Sequence, residues 1–219
     1  MTQPLVVVGA GGFGREVLAI VASINRVAPT WEVVGVLDDA PAGVHLAALA
    51  ALGTPMLGGV DLLPGLVLED THAVLGIGSP SVRARLDAAH PSASWATLVH
   101  PDATVGPDVV LGPGAVVAPG VRLSTSIRAG RHLHVDQNAT VGHDVALGDY
   151  VRLNPQACIS GSVTIGDGGL VGAGAVVLEG RSLGAGSLVG AGSVVTKDVA
   201  DGVVVKGVPA RPEPAQRRP

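Results

Sequence analysis

Aromatic residues and cysteine are scarce in this chain. Phe, Trp and Tyr make up 2% of the 219 residues, which excludes a core built on large rings. The single cysteine, Cys158, excludes an internal disulfide and a cysteine-based zinc site. No apolar run approaches the roughly 20 residues that span a bilayer, and no secretory leader is recognisable after Met1. We therefore expect a cytoplasmic protein.

Charge is also limited. The formal net charge is −4, which provides no electrostatic footprint for nucleic acid. We expect neither a nucleic-acid partner nor membrane insertion. Small residues, in contrast, are abundant: 47% of the chain is hydrophobic, mostly Val, Ala and Leu, and 32 residues are Gly. This composition predicts a core made of thin layers of small aliphatic side chains.

The second half of the chain repeats every six residues. Seventeen successive positions are all aliphatic: Val99, Val105, Leu111, Val117, Leu123, Ala129, Val135, Val141, Leu147, Leu153, Ile159, Ile165, Val171, Val177, Leu183, Val189 and Val195. Glycine often follows, as at 106, 112, 130, 142, 148, 166, 172, 184 and 190. This period fits neither a helix nor a simple strand and is typical of a parallel β-helix. We expect one aliphatic side chain per step to point inward, with glycine at the turns.

The repeating unit, an aliphatic residue followed by Gly and four further residues, resembles the left-handed β-helix of hexapeptide-repeat acyltransferases. In that superfamily three hexads form one triangular coil of about 18 residues. Its members associate as trimers, and acyl-CoA lies in the grooves between subunits. The resemblance therefore implies a homotrimer.

The first 90 residues follow a different pattern. Apolar segments alternate with helical ones, which predicts a small parallel α/β domain of Rossmann-like type. The predicted strands are Leu5–Val8, Val33–Leu37 and Ala73–Ile77, and the predicted helices are Arg15–Ile24 and Val82–Ala89. The fold class is accordingly mixed, with an α/β domain over residues 1–90 and a β-helix over residues 91–219.

The first strand leads into the glycine-rich segment Gly9–Gly14. Backbone N–H groups and a helix dipole at such a turn bind phosphate. The alternative is that the glycines only make a tight strand-to-helix turn. The second strand ends at Asp38 and Asp39, where a carboxylate is placed to accept hydrogen bonds from a ribose or a base. Because the chain lacks a second mononucleotide-binding half, a nucleotide-sugar is favoured over NAD.

His143 is the most interesting of the seven histidines. It lies two residues after the inward position Val141, near a turn, and imidazole suits a general base at neutral pH. Asp144 is placed to orient the ring. If one coil takes 18 residues, Gly161 lies one coil further on, about 4.8 Å away. Its N–H would then stabilise the oxyanion of a reacting thioester.

The whole chain resembles the PglD/NeuD-type sugar acetyltransferases. The matching segments are Gly9–Gly14, Leu37-Asp38-Asp39, Ile77-Gly78, Leu98-Val99-His100-Pro101, His143-Asp144, Ile159-Ser160-Gly161 and Gly207-Val208-Pro209-Ala210-Arg211. The resemblance implies direct transfer of acetyl from acetyl-CoA to the 4-amino group of a nucleotide-linked 4-amino-4,6-dideoxy sugar, with UDP as the preferred nucleotide. It also implies a role in surface polysaccharide or glycan synthesis and no metal.

The same resemblance assigns roles to individual residues. His143 is the implied base and Asp144 its support. The implied oxyanion and acetyl-CoA contacts are Gly161, Arg152, Ala173 and Ala191. The implied nucleotide-sugar contacts are Gly11, Gly12, Phe13, Asp38, Asp39 and Gly78.

Two of these positions depart from the family pattern. Asp144 stands where many members have the longer Glu. Arg152 stands where a second His often contacts acetyl-CoA, and an Arg there is able to pair with phosphates or pantetheine carbonyls. Ala173 and Ala191 are also the residues that the repeat alone would place at their positions.

Three alternative functions remain open on the sequence. One is O-acetylation of a sialic-acid-type sugar, which the same histidine would serve. Another is a metal-dependent β-helix enzyme of the γ-carbonic anhydrase kind, with His132, His134 and His143 as candidate ligands. The last is a non-catalytic scaffold. Cys158 is expected to be a packing residue rather than a nucleophile.

Overall fold

The computed structural model describes residues 2–67 and 71–213. The ends of the two predicted domains, Met1 and residues 214–219, lie outside the described residues. The chain divides into two compact units. The first comprises the residues up to Pro101 together with Pro113–Val116, and the second comprises Asp102–Gly112 together with the chain from Val117 onwards.

The first unit is a four-stranded parallel sheet with helices, as the sequence predicts. Its elements are β1 (Gln3–Val8), α1 (Gly12–Val27), β2 (Trp31–Leu37), α2 (Gly43–Ala51), β3 (Met56–Gly58), a 3-10 turn (Val60–Leu62), α3 (Leu63–Val67), β4 (His72–Leu75), α4 (Pro80–Ala89) and β5 (Leu98–Val99). The strand order is β3-β2-β1-β4. The sequence analysis missed α2, β3, the 3-10 turn and α3. Among the described residues, no helix is both long and apolar enough to cross a membrane.

The sheet of this unit is buried on both faces. Val6, Val8, Leu37 and Leu75 are fully buried in one apolar cluster that also contains Trp95. A parallel strand covered on both faces needs a continuous aliphatic run, which explains the run in β1. Because the order places β2 and β4 on opposite sides of β1, the loops after β1 and β4 leave the sheet at its topological switch point.

The second unit is a left-handed parallel β-helix, as expected. Its strands are β6 (Thr104–Val105), β7 (Val109–Leu111), β8 (Val116–Val117), β9 (Arg122–Leu123), β10 (Ile127–Ala129), β11 (His134–Val135), β12 (Thr140–Val141), β13 (Ala146–Leu147), β14 (Arg152–Leu153), β15 (Cys158–Ile159), β16 (Thr164–Ile165), β17 (Leu170–Val171), β18 (Val176–Val177), β19 (Ser182–Leu183), β20 (Leu188–Val189), β21 (Val194–Val195), β22 (Val204–Lys206) and β23 (Arg211–Pro212).

These strands form three faces. Face 1 is β6-β9-β12-β15-β18-β21, face 2 is β7-β10-β13-β16-β19, and face 3 runs β8-β11-β14-β17-β20-β22-β23. From β6 to β18, each strand pairs with the third strand after it, so that Thr140 lies beside Cys158, and Cys158 beside Val176. One coil therefore takes 18 residues, as the resemblance implied. The antiparallel strand β23 follows the last coil.

Two rows of side chains per hexad fill the interior, not the one row expected. The aliphatic positions from Val117 to Val195 are buried. The residues two places earlier are buried as well, including Val121, Leu133 and Val151. Because extended residues two apart point to the same side, Val121 and Leu123 both point inside, while Arg122 between them points out. In the first coil this row is exposed to solvent, since Val105 is 41% exposed.

The repeated glycines permit close approach rather than unusual dihedral angles. A Cβ on Gly148 would lie 2.7 Å from the backbone nitrogen of Asp167 in the next coil. The positive φ occurs two residues further along, at the third residue of each corner. There the chain often uses non-glycine residues: Asp108, Ser126, His132, Asn138, Asp144, Tyr150, Gln156 and Ser162. The turn chemistry and the glycine pattern are thus separate constraints.

This separation predicts opposite outcomes for two glycines. Gly148→Ala forces adjacent coils apart, and we expect it to lower the free energy of unfolding by about 2 kcal/mol. Gly186 has φ +63° and no atom near its absent Cβ, so Gly186→Asn should cost much less, because Asn tolerates this conformation. Urea unfolding measures both. Equal losses would contradict the separation.

Candidate functional site

His143 and Asp144 occupy the corner between faces 1 and 2, directly after β12. Asp144 has φ 56°, and this left-handed conformation allows its carboxylate to reach the preceding side chain. The distance from His143 Nδ1 to Asp144 Oδ2 is 2.8 Å. The shorter acid therefore reaches the imidazole in spite of its departure from the family pattern. Both side chains are more than half exposed.

This contact determines which ring nitrogen is available. A carboxylate only accepts hydrogen bonds, so Nδ1 must carry the proton and donate it to Asp144. The Nε2 lone pair of the neutral ring then remains available to accept a proton from a bound group. In enzymes with a Ser-His-Asp triad, a carboxylate orients the histidine base in the same way.

Gly161, which lies in the next coil, is in close contact with the imidazole of His143. A Cβ built on Gly161 would lie 2.6 Å from His143 Cε1 and 2.7 Å from its Nε2. The backbone itself does not require glycine there, because the equivalent corner positions hold Ala173, Ala185 and Ala191. The His143 ring is thus the reason that a side chain is excluded from residue 161.

The N–H of Gly161 is also available. Gly161 is buried, and within the described chain its N–H donates no hydrogen bond, whereas its carbonyl accepts one from Gly180 at 3.0 Å. A buried amide without a protein acceptor is uncommon. An oxygen that develops negative charge beside the Nε2 of His143 would find this donor close by.

The other residues predicted to contact acetyl-CoA lie elsewhere on the β-helix. Ala173 and Ala191 are exposed at the corner between faces 3 and 1, in neighbouring coils. Arg152 lies on face 3, where its Nη2 donates to Asp136 Oδ2 at 2.8 Å and its Nε donates to the same oxygen at 3.2 Å. The sequence analysis did not anticipate this carboxylate partner. Within one chain these three residues do not share the corner of His143.

The histidines nominated for a metal site are dispersed. His132 and His134 are fully buried, and His132 stacks on Tyr150 with ring centroids 5.7 Å apart. Across residues 2–67 and 71–213, no group of three or more His, Cys, Asp or Glu side chains is arranged to hold a metal ion. Cys158 is half-buried on face 1, beside Thr140.

The glycines of the N-terminal loop fall into two groups. Gly9 and Gly14 are sterically required, because a Cβ on Gly9 would lie 2.8 Å from Gly76 O and one on Gly14 would collide with Gly9 O. A tight turn explains these two. Gly11 and Gly12 have no atom within 4 Å of an added Cβ, so the turn itself leaves open space beside them.

The two aspartates after β2 help to hold this loop. Asp38 Oδ2 accepts the N–H of Ala10 at 2.8 Å, and its Oδ1 accepts the N–H of Ala40 at 3.0 Å. Asp39 Oδ1 accepts the N–H of Val60 at 2.8 Å. Asp39 is exposed, and its Oδ2 has no hydrogen-bond partner among the described residues.

The loop after β4 is held by a buried arginine that the sequence analysis missed. Arg83 of α4 is fully buried, and its Nη1 donates to Ile77 O at 3.1 Å and to Gly78 O at 2.9 Å. Gly78 and Phe13 are half-buried. Nothing in the sequence pattern singled out Arg83, because an arginine on a short helix ordinarily faces solvent.

Two more missed residues lie beside the first loop. Arg15 Nη1 is 3.3 Å from Ala10 O and 2.9 Å from His45 Nδ1. Arg15 directly follows the glycine motif, which was the only available signal. His45 comes from α2, a helix that the sequence analysis did not predict.

Comparison with known proteins relates the chain to acetyltransferases. The family model described as the PglD N-terminal domain matches residues 4–87. The acetyltransferase domain of PglB from Neisseria gonorrhoeae FA1090 is 31% identical, with 97% of this chain and 100% of that one covered and a TM-score of 0.86. A second structure of that domain, in complex with acetyl coenzyme A, is 28% identical, covers 97% and 100%, and has a TM-score of 0.75.

PerB from Caulobacter crescentus, in complex with CoA and GDP-perosamine, is 31% identical, with 98% and 99% coverage and a TM-score of 0.85. WeeI from Acinetobacter baumannii AYE is 27% identical, with 97% and 100% coverage and a TM-score of 0.81. A search of curated proteins found none that matches this chain.

The Arg152–Asp136 pair generates a stability prediction. The Asp136 side chain is 3% exposed and that of Arg152 20%. Arg152→Met leaves a buried carboxylate without its cation, and we expect a loss of roughly 3 kcal/mol in the free energy of unfolding. Arg152→Met with Asp136→Leu should lose less than the sum of the single changes. Urea unfolding of all three variants measures this coupling.

The control is the exposed pair of Arg128 and Asp108, whose side chains are both more than half exposed. The hydrogen bond from Arg128 lowers the pKa of the Asp108 carboxyl. Any stability from this pair is therefore present above the ordinary carboxyl pKa and is lost as the pH falls through the lowered one. Arg128→Met should have far less effect than Arg152→Met at neutral pH, and a similar loss would contradict the burial argument.

Proposed function

Since the chain belongs to the PglD/NeuD-type sugar acetyltransferase family, we propose that it transfers acetyl from acetyl-CoA to the 4-amino group of a nucleotide-linked 4-amino-4,6-dideoxy sugar. The observation that carries the proposal is the corner of His143, with a proton-accepting Nε2 beside the unused N–H of Gly161. The neighbours in complex with acetyl coenzyme A, or with CoA and GDP-perosamine, support this choice of donor and acceptor.

The proposed reaction is a direct transfer. The sugar amine attacks the thioester carbonyl while Nε2 of His143 takes the amine proton. The carbonyl oxygen becomes an oxyanion and accepts the N–H of Gly161. When the tetrahedral intermediate collapses, the carbon–sulfur bond breaks and the CoA sulfur leaves with the proton from the imidazolium. Asp144 stabilises that imidazolium, and no step requires a metal or a covalent acetyl-enzyme.

The nucleotide is proposed to bind at the loop after β1. The open space beside Gly11 and Gly12 allows a phosphate to approach the backbone and the start of α1. Asp39 would hydrogen-bond the ribose or the base, and Phe13 and Gly78 would complete the contacts, with Asp38 holding the loop. The family resemblance favours UDP, while the GDP-sugar complex of PerB makes GDP an equal candidate.

The test of the function is a substrate panel. The protein is mixed with acetyl-CoA and with UDP-, GDP- or dTDP-linked 4-amino sugars, and CoA release and the acetylated product are measured. We expect one acetyl group per sugar with at least one of these amines. Transfer only to a hydroxyl, as on a sialic acid, would establish the O-acetyl alternative. Absence of transfer to any sugar would overturn the proposed function.

Two substitutions test the residues. His143→Ala should lower kcat about 1,000-fold, within the range for loss of a general base. Gly161→Ala should lower kcat with little change in stability, because its methyl group displaces only the exposed His143 ring. Ala185→Gly, at an equivalent corner, is the control and should remain fully active. Retained activity in His143→Ala would contradict the mechanism.

We also propose that the protein is a homotrimer. Face 3 presents a half-buried outward row of Leu170, Leu188 and Val204, and face 1 presents Val176 and Val194. The outward row of face 2 is exposed and more polar: Val110, Arg128, Ala146, Thr164 and Ser182. Contact between faces 1 and 3 of neighbouring copies would bury the two apolar rows. The same contact would bring residues of a second copy, including its Arg152, Ala173 and Ala191, towards the acetyl-CoA bound near His143.

Light scattering should therefore give the mass of three chains of 21.7 kDa each. Leu188→Asp places a charge in the apolar row and should yield a smaller species with reduced activity. Thr164→Asp introduces the same charge on face 2 and should leave the trimer intact. A monomeric wild-type protein would contradict the arrangement.

A further inference from the structure

The Arg15 side chain folds back from the first turn of α1 towards the loop after β1. Its Nη1 is within hydrogen-bond distance of two groups, Ala10 O at 3.3 Å and His45 Nδ1 at 2.9 Å. A guanidinium only donates, so Nδ1 of His45 must be the acceptor. This contact places the ring proton of His45 on Nε2. Two contacts on one nitrogen hold the guanidinium in place.

The rest of the guanidinium is unused. Among the described residues, Nε and Nη2 of Arg15 donate to no group, and Arg15 has no carboxylate partner. The nearby carboxylate of Asp38 is engaged with the N–H groups of Ala10 and Ala40. In contrast, Arg128 and Arg152 each pair with an aspartate. Arg15 is half-buried, so its cation lies in partial desolvation without a counter-ion.

The surroundings suit a particular kind of anion. Arg15 contacts the loop next to Gly11 and Gly12, the glycines with open space beside them. The remaining N–H groups on Nε and Nη2 form a fork that matches two phosphate oxygens. Asp39, with one free carboxylate oxygen, follows the neighbouring strand β2. An acidic group for a ribose and a cation for phosphate thus occur in one loop cluster, which matches a nucleoside diphosphate.

We propose that Arg15 is a diphosphate ligand of the nucleotide-sugar and that His45 is a positioning residue that holds Arg15 in its binding orientation. This inference rests on the proposed function, since it concerns the nucleotide of that substrate. Arg15 would bind the phosphates through Nε and Nη2 while Nη1 keeps its contacts with Ala10 and His45. His45 would not touch the substrate.

The experiment compares ligands with and without phosphates. Calorimetry measures binding of UDP, GDP, uridine and guanosine to the unsubstituted 219-residue chain. The same ligands are tested with Arg15→Met, Arg15→Lys and His45→Ala. Loss of a charge-assisted hydrogen-bond pair corresponds to a roughly 10- to 100-fold weaker affinity. We expect that loss for the diphosphate with Arg15→Met, a smaller one with Arg15→Lys, and unchanged nucleoside binding.

His45→Ala should weaken diphosphate binding less than Arg15→Met and should add nothing when combined with it, because it acts only through Arg15. In kinetics, the KM for the nucleotide-sugar should rise while the KM for acetyl-CoA is unchanged. Arg26→Met is the matched control: Arg26 is also on α1, but it is exposed and donates to Ser23 Oγ. It should behave as the wild type.

The outcomes separate this inference from the proposed function. Equal weakening of nucleoside and diphosphate, or no weakening in Arg15→Met, would overturn the role of Arg15. An additive effect of His45→Ala would overturn the positioning role. If Arg15→Met fails to fold, as judged by its thermal midpoint, Arg15→Lys decides. If the wild type binds UDP or GDP in the expected Arg15-dependent manner but acetylates no sugar, the proposed function fails and the phosphate ligand stands.

Discussion

The parallel hydrogen-bonded register between successive coils is the constraint on which the second unit depends. Each strand pairs with the strand three later, 18 residues along the chain, and paired strands lie about 4.8 Å apart. A strand residue in the middle coils therefore has its neighbours 18 positions before and after it, as Cys158 has in Thr140 and Val176. At Gly148, directly after β13, even a Cβ would collide with the backbone of the next coil. The period of the sequence follows from this spacing.

The candidate catalytic corner is a local use of the same register. The register places residue 161 directly beside His143 in the next coil. Residue 161 is a glycine because the His143 ring occupies the space that a side chain would need. The left-handed corner conformation that the fold requires every six residues also turns the Asp144 carboxylate towards the imidazole. An imidazole, a carboxylate that contacts it and an amide with no acceptor among the described residues thus meet at one corner of the β-helix.

In the first unit, the loop after β1 packs closely against neighbouring backbone at some glycines and borders open space at others. Gly9 and Gly14 lie where backbone meets backbone, whereas Gly11 and Gly12 border open space. Asp38 holds the loop through two N–H groups, and Arg83 holds the loop after β4 through two carbonyls. The charged side chains of Asp38 and Arg83 thus hold the backbone of these loops, while Nε and Nη2 of Arg15 donate to no group among the described residues.

Several features follow from the sequence alone. The six-residue period determined the β-helix, its core row and the corner of His143, because stacking forces a repeated spacing onto the chain. The alternation of segments determined the parallel sheet, and the resemblance indicated the family. Short or weakly patterned elements were not predicted. The strand β3 has only three residues, and α2, in which only Leu49 is fully buried, has little apolar periodicity.

Other features were decided only by the tertiary structure. The second inward row, the division between packing and open glycines, and the partner of Arg152 all depend on which atoms meet across coils or loops. Arg15 and His45 are 30 residues apart in the chain, so no local pattern relates them. The sequence determined which residue types repeat, since that is a property of spacing along the chain. The structure decided which side chains hold the fold and which remain available for a ligand, because that depends on distances between segments far apart in sequence.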